Sequence, residues 1–225
     1  MRRKFIISAE RTIMPLRPPR PNRRAALLAS AVALLASGTA TAEPLTHDGF
    51  FLRGEVGPGY LTSSNTASNG SQSLDYSVSG PGVSLGLFLG GTPWSGIVIG
   101  GGLSATIVPD PKVEIGPFSA KSDSTVSVEA LGPFIQYFPN PLGGFNAGLM
   151  LGIGSFSVEN NNGDSVTAYG WSLSGSVGYE WWVGYEWSLG LVGRLTYART
   201  SKTTNGVDEK LSPFVPSILF AFTYH

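Results

Sequence analysis

Four charged side chains interrupt otherwise apolar or small-residue stretches of the chain, and they carry its clearest chemistry: Arg53, Glu55, Glu180 and Arg194. Alternate residues of an extended segment share one face, and these four lie opposite the large apolar residues of their segments. A buried charge must pair with an opposite charge or meet water. Two arginines and two glutamates therefore predict an ion-pair network inside the fold. A gate, in which the charges exchange partners to open a narrow path, is the alternative.

Histidine is the usual general base near neutral pH, and this chain has only His47 and His225. They stand just before the first apolar segment and at the end of the last one, without a serine and an acid in a triad-like grouping. We expect both to be solvated residues at the ends of the folded region. The sequence therefore predicts no catalytic residue, no cofactor and no enzymatic activity.

Acidic residues lie between the apolar segments, where their oxygen atoms would suit calcium or magnesium. They are Asp75, Asp110, Glu114, Asp123, Glu159, Asp164, Asp208 and Glu209. No D-x-D-x-D spacing occurs among them. We therefore expect a solvated acidic rim and no metal site.

The C-terminal stretch SPFVPSILFAFTYH alternates with a period of two, which is typical of a strand with two different faces. Large apolar residues form one face (Ile218, Phe220, Phe222 and Tyr224), and Ser217, Leu219, Ala221 and Thr223 form the other. Neither face carries a charge. Lipid on the apolar side and a packed lumen on the other fit this pattern.

The same alternation recurs in seven earlier segments, which begin near Gly49, Gly82, Ile97, Thr125, Phe145, Tyr169 and Trp187. The connections between them are alternately long and short. The long ones are 62–75, 109–124, 159–165 and 200–211, and the short ones are 90–95, 139–144 and 183–185. These features predict an all-β fold, an eight-stranded antiparallel up-and-down transmembrane β-barrel with long extracellular loops and short periplasmic turns.

The fourth segment, Thr125 to Phe138, departs from the pattern. Val126 and Val128 lie on the opposite parity from Leu131 and Ile135. A β-bulge near Glu129 or Gly132 would place both sets on one face, and Pro133 also favours an irregularity.

Aromatic residues cluster at two levels, as expected of rings that prefer the headgroup regions of a bilayer. Those flanking the short turns are Trp94, Tyr137, Phe138, Phe145, Trp181, Tyr185 and Trp187; those near the long loops are Tyr60, Tyr76, Tyr169, Trp171 and Tyr197. We interpret them as two aromatic girdles.

The N-terminal residues 1–42 have the layout of a cleaved signal peptide. A basic region ends at Arg24, an apolar core spans residues 25–36, and small residues lead to Ala42. That core is shorter than the roughly 20 residues of a membrane-spanning helix. Met14 begins a leader of more ordinary length and is an alternative start.

Residues 43–225 are predicted to form the barrel. Residues 1–42 hold eight of the fifteen Lys and Arg and one of the fifteen Asp and Glu, so the remainder carries seven against fourteen. Nucleic-acid binding needs a basic surface, and this acidic balance excludes it. The chain has no cysteine, which excludes disulfides and thiol chemistry.

The terminal strand resembles the C-terminal assembly signal of outer-membrane β-barrels, in which an aromatic residue closes the last strand. Ile218, Phe220, Phe222 and Tyr224 would form it here, with His225 one place beyond. The chain as a whole resembles the small eight-stranded families of the OmpA barrel domain, OmpX and OmpW. The resemblance implies export to the outer membrane of a Gram-negative cell and recognition by the barrel-assembly machinery. A soluble barrel or sandwich is the alternative. In that case the less apolar face of each strand would be exposed to water, and these faces consist mostly of Gly and Ser.

We expect a structural or surface-interaction role, with polar extracellular loops and a lumen largely filled by side chains. The expected partners are membrane lipid, lipopolysaccharide and a surface ligand that the sequence does not identify. A narrow channel for small or hydrophobic solutes, which resemblance to OmpW implies, is the first alternative. A lipid-modifying enzyme is the second, and the positions of the two histidines disfavour it.

Overall fold

The computed structural model describes residues 46–47, 49–69, 72–160, 162–204 and 206–225, and the predicted signal peptide lies outside them. These residues form ten strands: β1 (Gly49–Ser68), β2 (Ser73–Trp94), β3 (Ile97–Pro109), β4 (Lys112–Ile115), β5 (Phe118–Lys121), β6 (Ser124–Tyr137), β7 (Phe145–Asn160), β8 (Ser165–Trp182), β9 (Trp187–Thr204) and β10 (Val207–Tyr224). The described residues contain no helix of the length and hydrophobicity needed to span a bilayer.

Eight of these strands close into a ring. Each pairs antiparallel with its neighbours in the order β1, β10, β9, β8, β7, β6, β3 and β2, and β2 returns to β1. The short strands β4 and β5 form a hairpin that is added to β2 through Ser77–Ser79. Closure pairs the edge strands that an open sheet would expose. The predicted fold, an eight-stranded antiparallel barrel, is confirmed.

The side chains of the barrel wall alternate between an apolar outer face and a filled interior. On β7, Leu149, Leu151 and Ile153 are exposed, whereas Met150 between them is buried. On β10, Ile218 and Phe220 are exposed and Leu219 is buried. A continuous apolar belt of this kind is what a bilayer requires and what a soluble surface avoids.

The strands run well past the segments that the apolar pattern predicts. β1 is 20 residues long and β2 is 22, whereas a membrane-spanning strand needs about 9–11. Most of the predicted loop 62–75 is therefore strand, as is most of 200–211, and the connection 109–124 contains the β4–β5 hairpin. The predicted bounds of the loops 62–75 and 200–211 were wrong, because backbone pairing continues through polar Ser, Thr and Asn residues once a neighbouring strand is in register.

The predicted bulge in the fourth segment is absent from the described ladders. β6 pairs with β3 in one continuous register from Ile97↔Tyr137 to Pro109↔Thr125. Val126 and Val128 simply point inward, into an apolar part of the interior, so their change of parity needs no bulge. A register shift does occur where β2 approaches the short turn, between Gly91 and Trp94.

The residues of the two predicted aromatic girdles are placed on the outer surface with two exceptions. Those with exposed side chains include Tyr60, Trp94, Tyr137, Phe145, Tyr169, Trp171, Trp181, Tyr185 and Trp187. Phe138 is instead buried, and Tyr76 turns inward to donate a hydrogen bond to Glu209. Glu129 on β6 is a charged residue on the outer face of the wall. Its register partner on β7 is Ser155, and the partner of Ser155 on β8 is Tyr169.

Adjacent glycines on β3 give a test of the wall geometry. A Cβ atom on Gly100 would overlap the carbonyl oxygen of Leu89 and lie 2.5 Å from the Cα atom of Gly90, whereas a Cβ atom on Gly101 would meet nothing within 4 Å. Gly100→Ala should therefore cost about 1–3 kcal/mol of unfolding free energy, the usual range for overpacking. Urea titration of the refolded protein measures this cost. Gly101→Ala is the matched control, and equal costs would contradict the close approach of β2 and β3.

Candidate functional site

The inward-facing charge Arg53 is the centre of a polar network in the lumen. Its three nitrogens bond to three other strands: Nε donates to Thr223 Oγ1 (3.1 Å), Nη1 to Gln136 Oε1 (2.8 Å) and Nη2 to Glu180 Oε1. Since β1, β6, β8 and β10 lie around the ring, one guanidinium ties opposite walls together. Its side chain is buried, so these bonds are shielded from water.

The carboxylate of Glu180 has partners at both oxygens. Oε1 also accepts from Asn146 Nδ2 (3.0 Å), and Oε2 accepts from Ser188 Oγ (2.5 Å). The ring of His225 lies on the same side, with Nε2 3.4 Å from Oε2. A buried charge with this many donors is held in one position.

The second ion pair joins Arg194 on β9 to Glu55 on β1. Arg194 Nη2 donates to Glu55 Oε2, and the guanidinium lies 4.7 Å from the centre of the Phe88 ring. Glu55 Oε1 has no hydrogen-bond partner among the described residues, although Arg53 Nη1 lies 3.9 Å away. The structure thus brings together all four charges that the sequence singled out, as two adjoining pairs.

The polar residues that complete this network were not predicted from the sequence. Gln136, Asn146, Ser188 and Thr223 are all buried and all bond to Arg53 or Glu180. Each lies on the inward parity of its strand, so the alternation contained the signal. Their roles were hidden because polar residues also occupy turns, and Asn146 and Ser188 stand beside predicted turns.

The prediction that both histidines are solvated was wrong. His47 is 0% exposed and His225 is 3% exposed. Backbone bonds hold them against two turns at the same end of the barrel: His47 N–H donates to Pro141 O (3.0 Å) and His225 N–H to Glu186 O (2.9 Å). Both ends of the folded region therefore close this mouth of the lumen.

The two imidazoles contact each other inside an aromatic box. The His47 ring stacks on Phe138 at 3.7 Å and on Trp182 at 4.8 Å between ring centres. Its Nδ1 lies 3.2 Å from His225 Nε2, and its Nε2 lies 2.8 Å from Gly143 O, to which it donates. Phe138, predicted in an outer girdle, is thus part of this closed end.

Burial keeps the imidazoles of His47 and His225 neutral. Both residues lie outside the membrane-spanning strands. Loss of solvation, together with the smaller effect of the neighbouring His225, lowers the pKa of His47 to about 3. Burial likewise lowers the pKa of His225, against the opposing attraction of Glu180. At pH 7 the box therefore holds neutral rings, with Arg53 and Glu180 as the nearby charges.

The grouping of Ser188, His225 and Glu180 is not a catalytic triad. A triad needs the acid at one ring nitrogen of the histidine and the serine at the other. Here Ser188 Oγ (3.2 Å) and Glu180 Oε2 (3.4 Å) both lie near Nε2 of His225, and the serine hydroxyl donates to the glutamate. Ser188 is also fully buried.

The other half of the lumen is filled by apolar side chains. Its buried members are Leu61, Val78, Val108, Val126, Val128, Phe156, Ala168, Leu211 and Val215. Beside this cluster, toward the long connections, lies a cavity of about 280 Å³ lined by Tyr76, Phe156, Glu209 and others. Between the two halves, next to Glu55 and Arg194, the free space is only about 10 Å³, about one water molecule.

A closed antiparallel ring of eight strands, with an apolar belt outside and buried ion pairs inside, defines a transmembrane β-barrel of the outer-membrane type. No protein-family model and no curated protein matches the chain. Among solved structures it is similar to the outer membrane protein OprG from Pseudomonas aeruginosa (TM-score 0.50, 14% identity), covering 81% of this chain and 100% of that one. The predicted similarity to small eight-stranded outer-membrane barrels is thereby confirmed at the level of fold.

Two further structures are similar at lower TM-scores. Neisserial surface protein A matches with a TM-score of 0.40 and 15% identity, covering 75% of this chain and 96% of that one. Outer membrane protein AlkL matches with a TM-score of 0.44 and 13% identity, covering 83% and 94%.

Proposed function

We propose that this protein is exported through residues 1–42, is inserted in the outer membrane of a Gram-negative cell, and acts there as a closed barrel with a structural or surface-interaction role. The observation that carries the proposal is that side chains fill both halves of the lumen. The ion network with the histidine box fills one half, and the apolar cluster fills the other. The proposal includes no enzymatic step.

The surface available for binding partners outside the cell consists of the polar ends of the strands, which extend beyond the bilayer. The β4–β5 hairpin and the tips near Ser68 and Thr204 lie on this side, away from the histidine box. They carry charged residues such as the exposed ion pair of Lys112 and Glu114, 2.5 Å apart. Such extensions would meet lipopolysaccharide, through divalent ions at its phosphates, and a surface ligand. Insertion would use the barrel-assembly machinery, with Ile218, Phe220, Phe222 and Tyr224 as its signal.

Conductance in planar bilayers tests the closed lumen. We expect no single-channel steps from pure, refolded protein, because an ion would have to cross both the Arg194–Glu55 pair and the apolar cluster. A large porin in the same bilayers is the positive control, and heat-modifiable migration on a gel shows that the sample is folded. Regular steps with a reproducible conductance would disprove the closed barrel.

A conduit for small hydrophobic solutes is the second candidate function, and two cavities favour it. The cavity of about 280 Å³ lies beside the apolar cluster of the lumen. An open groove of about 570 Å³ lies on the outer face of the wall along β1, β10 and β9. Pro58 and Pro216 line the groove, and neither can donate to the ladder of β1 and β10. Arg194 lines both the groove and the small gap in the lumen.

Binding of an apolar fluorophore distinguishes the two candidates. Ala168→Phe would fill the cavity, because Ala168 is a buried part of its lining, whereas Ala147→Phe adds the same ring to β7 without lining it. Binding that only Ala168→Phe abolishes would favour the conduit. Equal binding by both variants and the parent would leave the closed barrel as the function.

A further inference from the structure

The closed end of the barrel brings together three groups that commonly bind metals, from three distant parts of the chain. One ligand atom each from His47, Glu180 and His225 lies within 4.8 Å of the others, and all three side chains are buried. The sequence separates the two histidines by 178 positions, so only closure of the ring makes them neighbours.

We propose that His47, Glu180 and His225 form a binding site for a divalent transition-metal ion, with Zn²⁺ as the best-matched member of that class. Two imidazoles and a carboxylate are an established zinc ligand set, with a fourth position for water or another ligand. Softer thiolate ligands are not involved, since the chain has no cysteine. Calcium and magnesium prefer oxygen atoms and would use only Glu180.

Two of the three distances between the ligand atoms suit tetrahedral coordination, and the set spans 4.8 Å at its widest, so a metal ion would draw His47 and Glu180 closer together. Zinc bonds of about 2.0–2.1 Å to nitrogen and oxygen place neighbouring ligand atoms about 3.3–3.4 Å apart. His47 Nδ1 and His225 Nε2 are 3.2 Å apart, and His225 Nε2 and Glu180 Oε2 are 3.4 Å apart. A metal ion could therefore be placed among them with small side-chain movements.

Neighbouring groups already orient each ligand. His47 Nε2 donates to Gly143 O, which fixes the proton on that nitrogen and leaves the lone pair of Nδ1 facing His225. Metal-binding histidines use their second nitrogen in this way. Arg53 and Asn146 bond to Oε1 of Glu180, whereas Oε2 accepts from Ser188 Oγ (2.5 Å), a bond that a metal ion at Oε2 would replace or share. Ser188 Oγ is 3.2 Å from His225 Nε2 and is a candidate for the fourth position.

Metal binding at this site depends on the protonation state of the two histidines. A histidine binds metal only when it is neutral, so zinc binding at this site should weaken as the pH falls. Neutral rings otherwise gain little from lying together, since only one of them can donate to the other. Arg53 offsets part of the charge of Glu180, so the imidazoles would supply most of the affinity.

A bound ion would join His47, two residues before β1, to Glu180 near the end of β8 and to His225, the residue after β10. His47 and His225 lie beside the ladder of β1 and β10 that closes the ring. Ions that bind only the folded state stabilise it in proportion to the logarithm of their free concentration. The inference goes beyond the proposed function, since it concerns how the closed end is held.

The experiment is a metal titration of the tag-free refolded barrel in detergent after removal of metals with a chelator. We expect one Zn²⁺ per chain, a rise in the midpoint of thermal unfolding, and a visible absorption spectrum typical of four-coordinate Co²⁺ when Co²⁺ replaces Zn²⁺. His225→Ala should weaken binding at least tenfold. His47→Phe should do the same while keeping the stacking on Phe138 and Trp182, so a loss of binding there does not reflect an unfolded box.

Glu114→Gln is the control for adventitious binding to exposed carboxylates, because Glu114 lies on the exposed β4 strand. It should leave the zinc affinity unchanged. Heat-modifiable migration verifies that each variant is folded. Failure of the folded parent to bind Zn²⁺ or Co²⁺, or equal binding by the parent and His47→Phe, would overturn the site and leave a buried hydrogen-bonded cluster only.

Discussion

Arg194→Ala should lower the unfolding free energy of the barrel by about 3–5 kcal/mol, the cost of breaking a buried ion pair by removing one partner. Arg194 is the residue that donates to Glu55 Oε2, and the other oxygen of Glu55 has no hydrogen-bond partner among the described residues. After the substitution the carboxylate would face only Arg53, 3.9 Å away. Urea titration followed by tryptophan fluorescence measures the loss.

Two controls separate the lost pair from a general loss of packing. Lys202→Ala removes a half-buried cation at the outer end of β9, opposite Glu209 and in the lining of the cavity, where water reaches the charges and we expect a loss of about 1 kcal/mol or less. The double variant Glu55→Gln with Arg194→Met removes both charges and should recover most of the loss, because apolar or neutral replacements of a buried pair are often tolerated. Equal effects of Arg194→Ala and Lys202→Ala would show that Arg194 does not carry a buried charge.

The pairing of the ring could be predicted from sequence because a period of two is a strong local signal. Each apolar alternation, such as the one through Leu149 and Leu151, fixes which side chains face lipid and which face the lumen. The four lumen charges followed directly from that parity. Parity does not determine which charges form ion pairs, because paired residues such as Arg53 and Glu180 lie 127 positions apart in the sequence.

The two ends of the strands were harder to predict, for a physical reason. In the bilayer, lipid selects apolar residues, and the pattern stops where lipid stops. Beyond it the same ladder continues through polar residues: Thr62 and Ser64 face water, and Ser63 and Asn65 between them face the lumen. Hydropathy therefore marks the membrane and not the strand.

Apolar residues inside the lumen caused the error in the fourth segment. Val126 and Val128 resemble lipid-facing residues in sequence, yet they pack on Phe156 and its neighbours in the interior. A single segment cannot distinguish lipid from an apolar lumen. The histidines were missed for a related reason, because residues at the ends of a folded region are exposed by default unless closure of the ring covers them.

Leu151→Arg should be the most damaging single substitution on the outer surface, and it tests the membrane assignment directly. Leu151 is 57% exposed near the middle of the apolar part of β7, six residues from Phe145 at the turn. At about 3.4 Å per residue and a tilt of about 45°, six residues rise roughly 15 Å, close to the midplane of the hydrocarbon core. An arginine facing lipid at that depth costs about 2–4 kcal/mol.

Leu142→Arg is the matched control, because it makes the same chemical change at a similarly exposed leucine. Leu142 is 64% exposed but lies in the turn between β6 and β7, where an arginine can reach water. Its substitution should change the unfolding free energy by less than about 0.5 kcal/mol. The measurement is reversible urea unfolding in lipid vesicles, with the difference between the two variants as the readout. In water, both leucines would be ordinary surface positions, so equal and small effects in vesicles would mean that the apolar belt does not face lipid.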